Sequence, residues 1–385
     1  MASTEEFDRI IDRRAVPGEK WSRFEGRDVI PMWVADMDFA APDAIIDAIR
    51  ARLDHGVLGY TDAWPSLEVA IVEAMHRDYA WPIEPQWLVW LPGMVSAFNL
   101  ACRAIGDDGD GVFSATPIYP PFLGAPANNR RRLQQAALRQ GDDQRWSWDW
   151  QATEAAMDDR TRLFMLCNPH NPVGRVFDHR ELEQIGEICT RRDLVICSDE
   201  IHCGLVLDDT RRHLPIATLD ESIAARTITL MAPSKTWNIP SLYCAFAIIP
   251  DQGLRRRFRH AMRGIVPHAN LLGLVATEAA YRYGEDWRRR LLRYLRANRA
   301  LVDEQLANIP GIRVTLPEAT YLAWLDCRVF ARRRGVADLS AHFEAHGVGL
   351  SYGRAFGAPG FMRLNFGCPR PVLAEGLARV RDALG

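Results

Sequence analysis

An α/β chain with a mostly parallel sheet, followed by a smaller α+β domain, is the fold class this sequence predicts. Three observations carry that expectation. The chain has 385 residues, too many for one simple core, so two domains are the natural starting point. From residue 41 onward, short apolar runs alternate with longer amphipathic ones, the pattern of strands and helices in a sheet covered on both faces. Past residue 270 the character changes to long Arg-rich helices and then short strands.

Residues 1–40 are irregular and rich in aromatic and acidic residues, ending in Pro31-Met32-Trp33-Val34-Ala35-Asp36-Met37-Asp38-Phe39. They are expected to pack with the small domain. Residues 41–275 form the expected large domain. Its strands are the short apolar runs at 88–91, 111–115, 162–167, 194–198, 227–231 and 244–249. Its helices are the amphipathic stretches 41–55, 66–79, 96–105, 178–191 and 251–263. Residues 276–385 form the expected small domain. The long helices 270–283 and 285–308 lead into it, and short strands near 312–315, 320–326 and 361–365 complete it.

Composition narrows the function classes. Hydrophobic content of 48% and charged content of 25% are ordinary for a soluble globular protein. A net charge of −2 gives no electrostatic case for nucleic acid or an anionic membrane. The Arg triplets, such as Arg255-Arg256-Arg257 and Arg288-Arg289-Arg290, are scattered and offset by nearby acids, as on solvated helix faces. Eight cysteines show no Cys-x-x-Cys pair, which suits a reducing compartment. His202-Cys203 has no second ligand pair of zinc-like spacing, so no metal is expected. The charged stretch from Met1 to Asp12 lacks an apolar signal core, and no 18-residue apolar run occurs. A cytoplasmic protein is expected.

Of the 47 Lys and Arg residues only two, Lys20 and Lys235, are lysine. Arg supplies charge and forked hydrogen bonds but keeps its proton. Lys can lose its proton and attack a carbonyl to form a Schiff base. Lys20, in the polar stretch Pro17-Gly18-Glu19-Lys20, is expected at the surface. Lys235 has different company. In a parallel sheet, chemistry gathers at the carboxyl ends of strands. Strand 162–167 runs into Asn168-Pro169-His170-Asn171-Pro172-Val173-Gly174, strand 194–198 into Asp199-Glu200-Ile201-His202, and strand 227–231 into the Ser234-Lys235 segment. An amide, a carboxylate and a lysine are therefore expected at one rim.

These segments, with Ser234-Lys235-Thr236-Trp237-Asn238 and Arg363-Leu364-Asn365, resemble the fold-type I, pyridoxal-phosphate-dependent enzymes of the aminotransferase superfamily, in the family's order and over nearly the whole chain. The resemblance implies that Lys235 carries pyridoxal 5′-phosphate as a Schiff base and serves as general acid/base at the substrate Cα. It puts Asp199 against the pyridine nitrogen, which a charge-assisted hydrogen bond keeps protonated. Asn171 and His202 are implied beside the ring's 3′-oxygen, and Tyr119 on the ring face, where stacking adds roughly 1 kcal/mol. The phosphate is implied at Gly93-Met94-Val95-Ser96, where a helix begins, with Val95, Ser96 and the Ser234 hydroxyl around it. Tyr60 is implied to reach it from a second subunit of a homodimer. Arg363 is implied to clamp the substrate carboxylate, with Asn171 and Ala35 also at the substrate.

Within the superfamily the chain is similar to the MalY/PatB type of cystathionine β-lyase. The segment 31–39, His202 after Asp199-Glu200-Ile201, and Gly367-Cys368-Pro369-Arg370 fit that subgroup. So does Tyr243, eight residues past Lys235, where aminotransferases commonly carry arginine. The implied reaction is α,β-elimination of a cysteine S-conjugate; the alternative is transamination between an amino acid and a 2-oxo acid. Trp237, Pro240 and Ser241 depart from the family's usual residues, and a pocket reshaped there is expected. No helix-turn-helix appendage supports a regulator acting directly on DNA.

Overall fold

A computed structural model of the chain describes residues 5–385; the first four residues of the charged stretch Met1 to Asp12 lie outside it. The dominant feature is a seven-stranded sheet. Its strands in chain order are β1 (Leu88–Leu91), β2 (Gly111–Thr116), β3 (Arg132–Ala137), β4 (Thr161–Cys167), β5 (Val195–Asp199), β6 (Thr227–Met231) and β7 (Ala245–Ile248). They lie in the spatial order β1-β7-β6-β5-β4-β2-β3. β2, β3, β4, β5 and β6 pair in parallel, and only β7 runs antiparallel to its neighbours. The expected mostly parallel sheet is therefore present.

Burial on both faces explains why these strands read as apolar runs. In β4, Leu163, Met165 and Cys167 pack on one face with Phe98, Leu100 and Leu254. Phe164 and Leu166 pack on the other with Leu182, Ile185 and Ile188 of the helix His179–Arg191. That helix opens on a capping box, in which Asp178 accepts from the Glu181 N–H and Glu181 accepts from the Asp178 N–H. The helix Met94–Ala104 follows β1 directly, with Gly93 at its N-cap.

Two elements are absent from the expected set. β3 is an edge strand whose sequence Arg-Leu-Gln-Gln-Ala-Ala has no apolar run, and parallel pairing with β2 makes it a strand. The helix Pro120–Asn128 lies outside the expected set and holds Pro120, Pro121 and Pro126. The first two sit in the opening turn, where a missing N–H costs nothing.

The C-terminal part holds a second, antiparallel sheet of β8 (Arg313–Thr315), β9 (Leu322–Asp326), β10 (Ser351–Tyr352) and β11 (Phe361–Asn365), in the order β8-β9-β11-β10. Ile30–Pro31 pairs in parallel with Val348–Gly349, joining the N-terminal stretch to this region. The helix Leu271–Tyr283 spans the boundary expected at residue 275 and packs on the helices Asp43–Asp54 and Pro65–Tyr79. Residues 33–39 cross from the second sheet toward the first.

Candidate active site

The carboxyl ends of β4, β5 and β6 are adjacent, since Cys167 pairs with Asp199 and Asp199 with Leu230. Side chains that follow these ends share one edge, as topology demands of a parallel sheet. Asp199 closes β5 and is buried, with the Ile201 N–H donating to Oδ1 at 3.1 Å. Burial pushes its carboxyl up to about 7, outweighing that hydrogen bond and the Lys235 charge. Lys235 follows β6. Its Nζ donates to the Ala35 carbonyl at 2.5 Å. Burial, then Arg363, pulls its amine down to about 8, against Asp36, Asp199 and Glu19. At pH 7 about a tenth of such amines is free base, the form that takes a proton.

Asn171 and Arg363 come together from the two sheets. Arg363 lies on the central strand β11, and its Nη1 donates to Asn171 Oδ1 at 3.0 Å. Nη2 donates to the Trp33 carbonyl at 2.8 Å and to Ser351 Oγ at 3.4 Å. The guanidinium lies over the Phe356 ring at 4.8 Å, and its buried Nε has no partner. Burial pulls Arg363 down to about 10, which leaves it charged at neutral pH. The Tyr119 N–H donates to the Asn171 carbonyl at 3.1 Å, setting that ring beside the pair. His202 is buried and its Nδ1 is unpartnered. Burial, with Lys235 and Arg363, takes its imidazole down to about 3, so it is neutral.

Gly93, Val95 and Ser96 open the helix after β1, at the same edge of the sheet. No side chain caps that terminus, and a Cβ on Gly93 would meet nothing within 4 Å. Ser234 is half-buried beside Lys235. Tyr60 is fully exposed on a loop that also presents Val57 and Leu58 to solvent, and it does not join this cluster within one chain.

A model for the family "Aminotransferase class I and II" matches residues 27–380. The chain belongs to that family. It is 35% identical to "Cystathionine beta-lyase PatB" of Bacillus subtilis (strain 168), with 98% of this chain and 99% of that protein covered. Among solved structures, OvoB superposes with a TM-score of 0.95 at 44% identity, covering 98% of both chains. Cystalysin from Treponema denticola, whose crystal structure contains pyridoxal 5′-phosphate, gives 0.91 at 32% identity, again with 98% of both chains covered.

Three expectations about this aminotransferase-family chain need correction or addition. Lys20 is not at the surface: it is 1% exposed, and its Nζ lies 2.8 Å from Asp38 Oδ2. Its local sequence is polar, but its partner acids lie 16 and 18 residues downstream. Trp237 is occupied at a helix junction, donating Nε1–H to the Gly284 carbonyl at 3.0 Å and standing edge-on to Tyr281 at 5.0 Å. Sequence reasoning also missed the anchors of residues 33–39. Tyr321 OH donates to the Ala35 carbonyl at 2.9 Å, and Asn365 Nδ2 to the Val34 and Asp36 carbonyls at 2.6 Å. Asn238 bonds Met37 and Phe39. Asn238 and Asn365 stand inside the quoted motifs, and that position was the available signal.

Proposed function

We propose that the chain is a cytoplasmic, pyridoxal-phosphate-dependent carbon–sulfur β-lyase. It would cleave cystathionine or another cysteine S-conjugate to a thiol, pyruvate and ammonia. One observation carries this: Lys235, Asp199, Asn171 and Arg363 converge at one sheet edge, in a chain 35% identical over nearly its full length to a protein named cystathionine beta-lyase. The residues present suit the cofactor. The uncapped helix start with open space at Gly93 suits a phosphate. The buried Asp199 suits a protonated ring nitrogen, and the orphaned His202 Nδ1 marks a polar group awaiting a partner. Lys235, Asp199, Asn171, His202 and Tyr119 would hold the ring end, and Val95, Ser96 and Ser234 the phosphate. Tyr60 from a second copy of the chain would complete that end of the site, and its full exposure supports a homodimer. On this reading residues 41–275 are the cofactor-binding domain, 276–385 the small domain, and 1–40 the segment packed against it.

When bound, the cofactor supplies an electron sink that makes proton removal from the substrate Cα feasible. The chain's own residues supply the rest. Arg363 binds the substrate carboxylate, its unpartnered Nε supplying a donor that a planar anion can use. Asn171, fixed by Arg363, orients the substrate end of the site. Lys235, as free amine, takes the Cα proton. The Cβ–S bond then breaks, and the thiolate leaves and is protonated. The 2-aminoacrylate released adds water to give pyruvate and ammonia, so atoms balance without an oxidant or a 2-oxo acid.

The test is to give purified enzyme cystathionine and a panel of cysteine S-conjugates with no oxo acid. Pyruvate and thiol in equal amounts are expected. Product formation only after a 2-oxo acid is added overturns the lyase in favour of transamination. Lys235→Ala is expected to abolish both the turnover and the absorbance of lysine-bound cofactor; retention of that band overturns the lysine's role.

A further inference from the structure

Both lysines of this Arg-dominated chain meet one stretch of backbone. The Ala35 carbonyl accepts Lys235 Nζ at 2.5 Å and Tyr321 OH at 2.9 Å. Flanking it, Asp36 and Asp38 form a balanced cluster with Lys20 and Arg13. Lys20 Nζ lies 2.8 Å from Asp38 Oδ2 and 3.4 Å from Asp36 Oδ1, and it donates to the Asp36 carbonyl at 3.3 Å. Arg13 lies 2.6 Å from Asp38 Oδ1 and 2.9 Å from Asp36 Oδ2. Trp21 Nε1 donates to Asp38 Oδ1 at 3.1 Å. A fully buried lysine is tolerated only when paired. Asp38 and then Asp36 offset its burial and hold Lys20 charged. The next carbonyl toward the N-terminus but one, that of Trp33, accepts Arg363 Nη2 at 2.8 Å. The anchored stretch therefore touches both the catalytic amine and the carboxylate-binding arginine.

We infer that Lys20 is a positioning residue for Lys235: through Asp36 and Asp38 it fixes residues 33–39 so that the Ala35 carbonyl receives the free Lys235 amine, and it limits how much of the Asp36 charge that amine feels, an assignment that rests on Lys235 being the catalytic base. The charges acting on Lys235 come from four directions: Arg363 on β11, Asp199 at the end of β5, Asp36, and Glu19 beside Lys20. Asp36, Asp38, Arg13 and the Cys368 thiol surround Lys20. Arg363 disfavours the charged amine, and Asp36 favours it. Opposite signs follow for two variants. Lys20→Met leaves Asp36 less compensated and moves the Lys235 titration up. Asp36→Asn, which keeps the Lys20–Asp38 pair, moves it down. A role confined to folding moves neither.

The measurement uses the scarcity of lysine. Reductive ¹³C-methylation of the folded, cofactor-free full-length chain tags Lys235 and the amino terminus, while Lys20 is shielded. NMR titration of the Lys235 methyl signal is expected to shift up in Lys20→Met and down in Asp36→Asn, by about 0.5–1 pH unit each. In the holoenzyme the acidic limb of kcat moves the same way. Lys20→Met is expected to lower kcat by about 10- to 100-fold, the scale of a misplaced catalytic group, with KM changed less. Lys20→Arg restores the charge and brings the titration back toward the parent. Unmoved titrations in both variants overturn the assignment. If Lys20→Met does not fold, an unmoved Asp36→Asn overturns it alone. A cofactor band retained in Lys235→Ala would instead sink the lyase reading and leave the NMR shifts standing.

Discussion

Replacing Lys235 with methionine is expected to stabilise the cofactor-free chain at neutral pH. The amine is held at about 8 against an ordinary 10.5, because burial and Arg363 both disfavour charge there. That downward shift corresponds to about 3 kcal/mol of penalty on the folded, protonated state. At pH 7 both folded and unfolded chains hold the proton, so the fold carries nearly the whole penalty. As pH rises past 8 the folded chain releases its proton first, and above 10.5 the two states are alike. Stability linked to this group therefore rises with pH across that window. Methionine removes the charge with similar length and an unbranched chain. It forfeits the hydrogen bond to the Ala35 carbonyl, worth about 1 kcal/mol, which leaves a net gain of about 2 kcal/mol. Urea unfolding of both cofactor-free proteins at pH 7 and pH 9.5 measures it. The methionine variant should be the more stable at pH 7, with most of the advantage gone at pH 9.5. A parent chain at least as stable at pH 7, or an advantage that ignores pH, refutes the electrostatic account of this lysine.

Asp199→Asn tests the opposite sign. Burial raises its carboxyl from 3.8 to about 7, so stability linked to it falls as pH rises from about 4 to 7; the asparagine variant should gain up to about 4 kcal/mol at pH 8 and little at pH 4 in the same urea experiment. Arg363→Lys keeps the charge but loses the fork that reaches Asn171 and Trp33. Its kcat/KM should fall about 10- to 100-fold, mostly through KM, and a change under about threefold in steady-state rates would count against carboxylate binding there. His213→Leu removes the Nε2 group 2.7 Å from the wholly buried Glu200, next to Asp199. A loss of about 3 kcal/mol is expected from denaturant midpoints, and a neutral result would mean that water or another group satisfies Glu200.

The elements legible in the sequence were those whose burial imposes composition. β1, β6 and β11 match the expected 88–91, 227–231 and 361–365 residue for residue: β1 is the apolar run Leu-Val-Trp-Leu stopped by Pro92-Gly93, β6 is the β-branched stretch Thr-Ile-Thr-Leu-Met, and β11 is the buried stretch Phe-Met-Arg-Leu-Asn that holds the Arg-Leu-Asn motif. β3 lacks that signature because an edge strand needs few buried side chains. The site divides the same way. Asp199, Asn171, Lys235 and Arg363 were readable because each occupies a fixed place in a motif at a strand end or strand centre. The receiving groups were not. The Trp33 and Ala35 carbonyls carry no side-chain signature, and Tyr321 and Ser351 arrive from positions 286 and 318 residues away from the backbone they bind. Backbone acceptors and long-range partners leave no local pattern to read.

The choice of cation follows geometry at Arg363 and Lys20, which are buried, and at Lys235, which is partly buried. Arg363 meets an amide oxygen, a carbonyl and a hydroxyl through the two arms of its fork, with its guanidinium over an aromatic ring; a lysine has no such fork. Lys20 meets Asp38, the Asp36 carboxylate and the Asp36 carbonyl, and a compact ammonium with three donors can reach all three. Lys235 meets a lone carbonyl in surroundings that weaken its hold on a proton. Arginine would keep that proton under any of these influences. A chain that uses guanidinium wherever charge alone suffices has therefore placed its two amines where a planar, permanently charged group is the poorer match. One meets three acceptors, which a tripod of donors can reach, and the other, on the proposed reading, must lose its proton. The cluster around Lys20 and the amine of Lys235 meet through two residues of backbone, Ala35 and Asp36, so the pair behaves as one electrostatic unit and substitution at either should be felt at both.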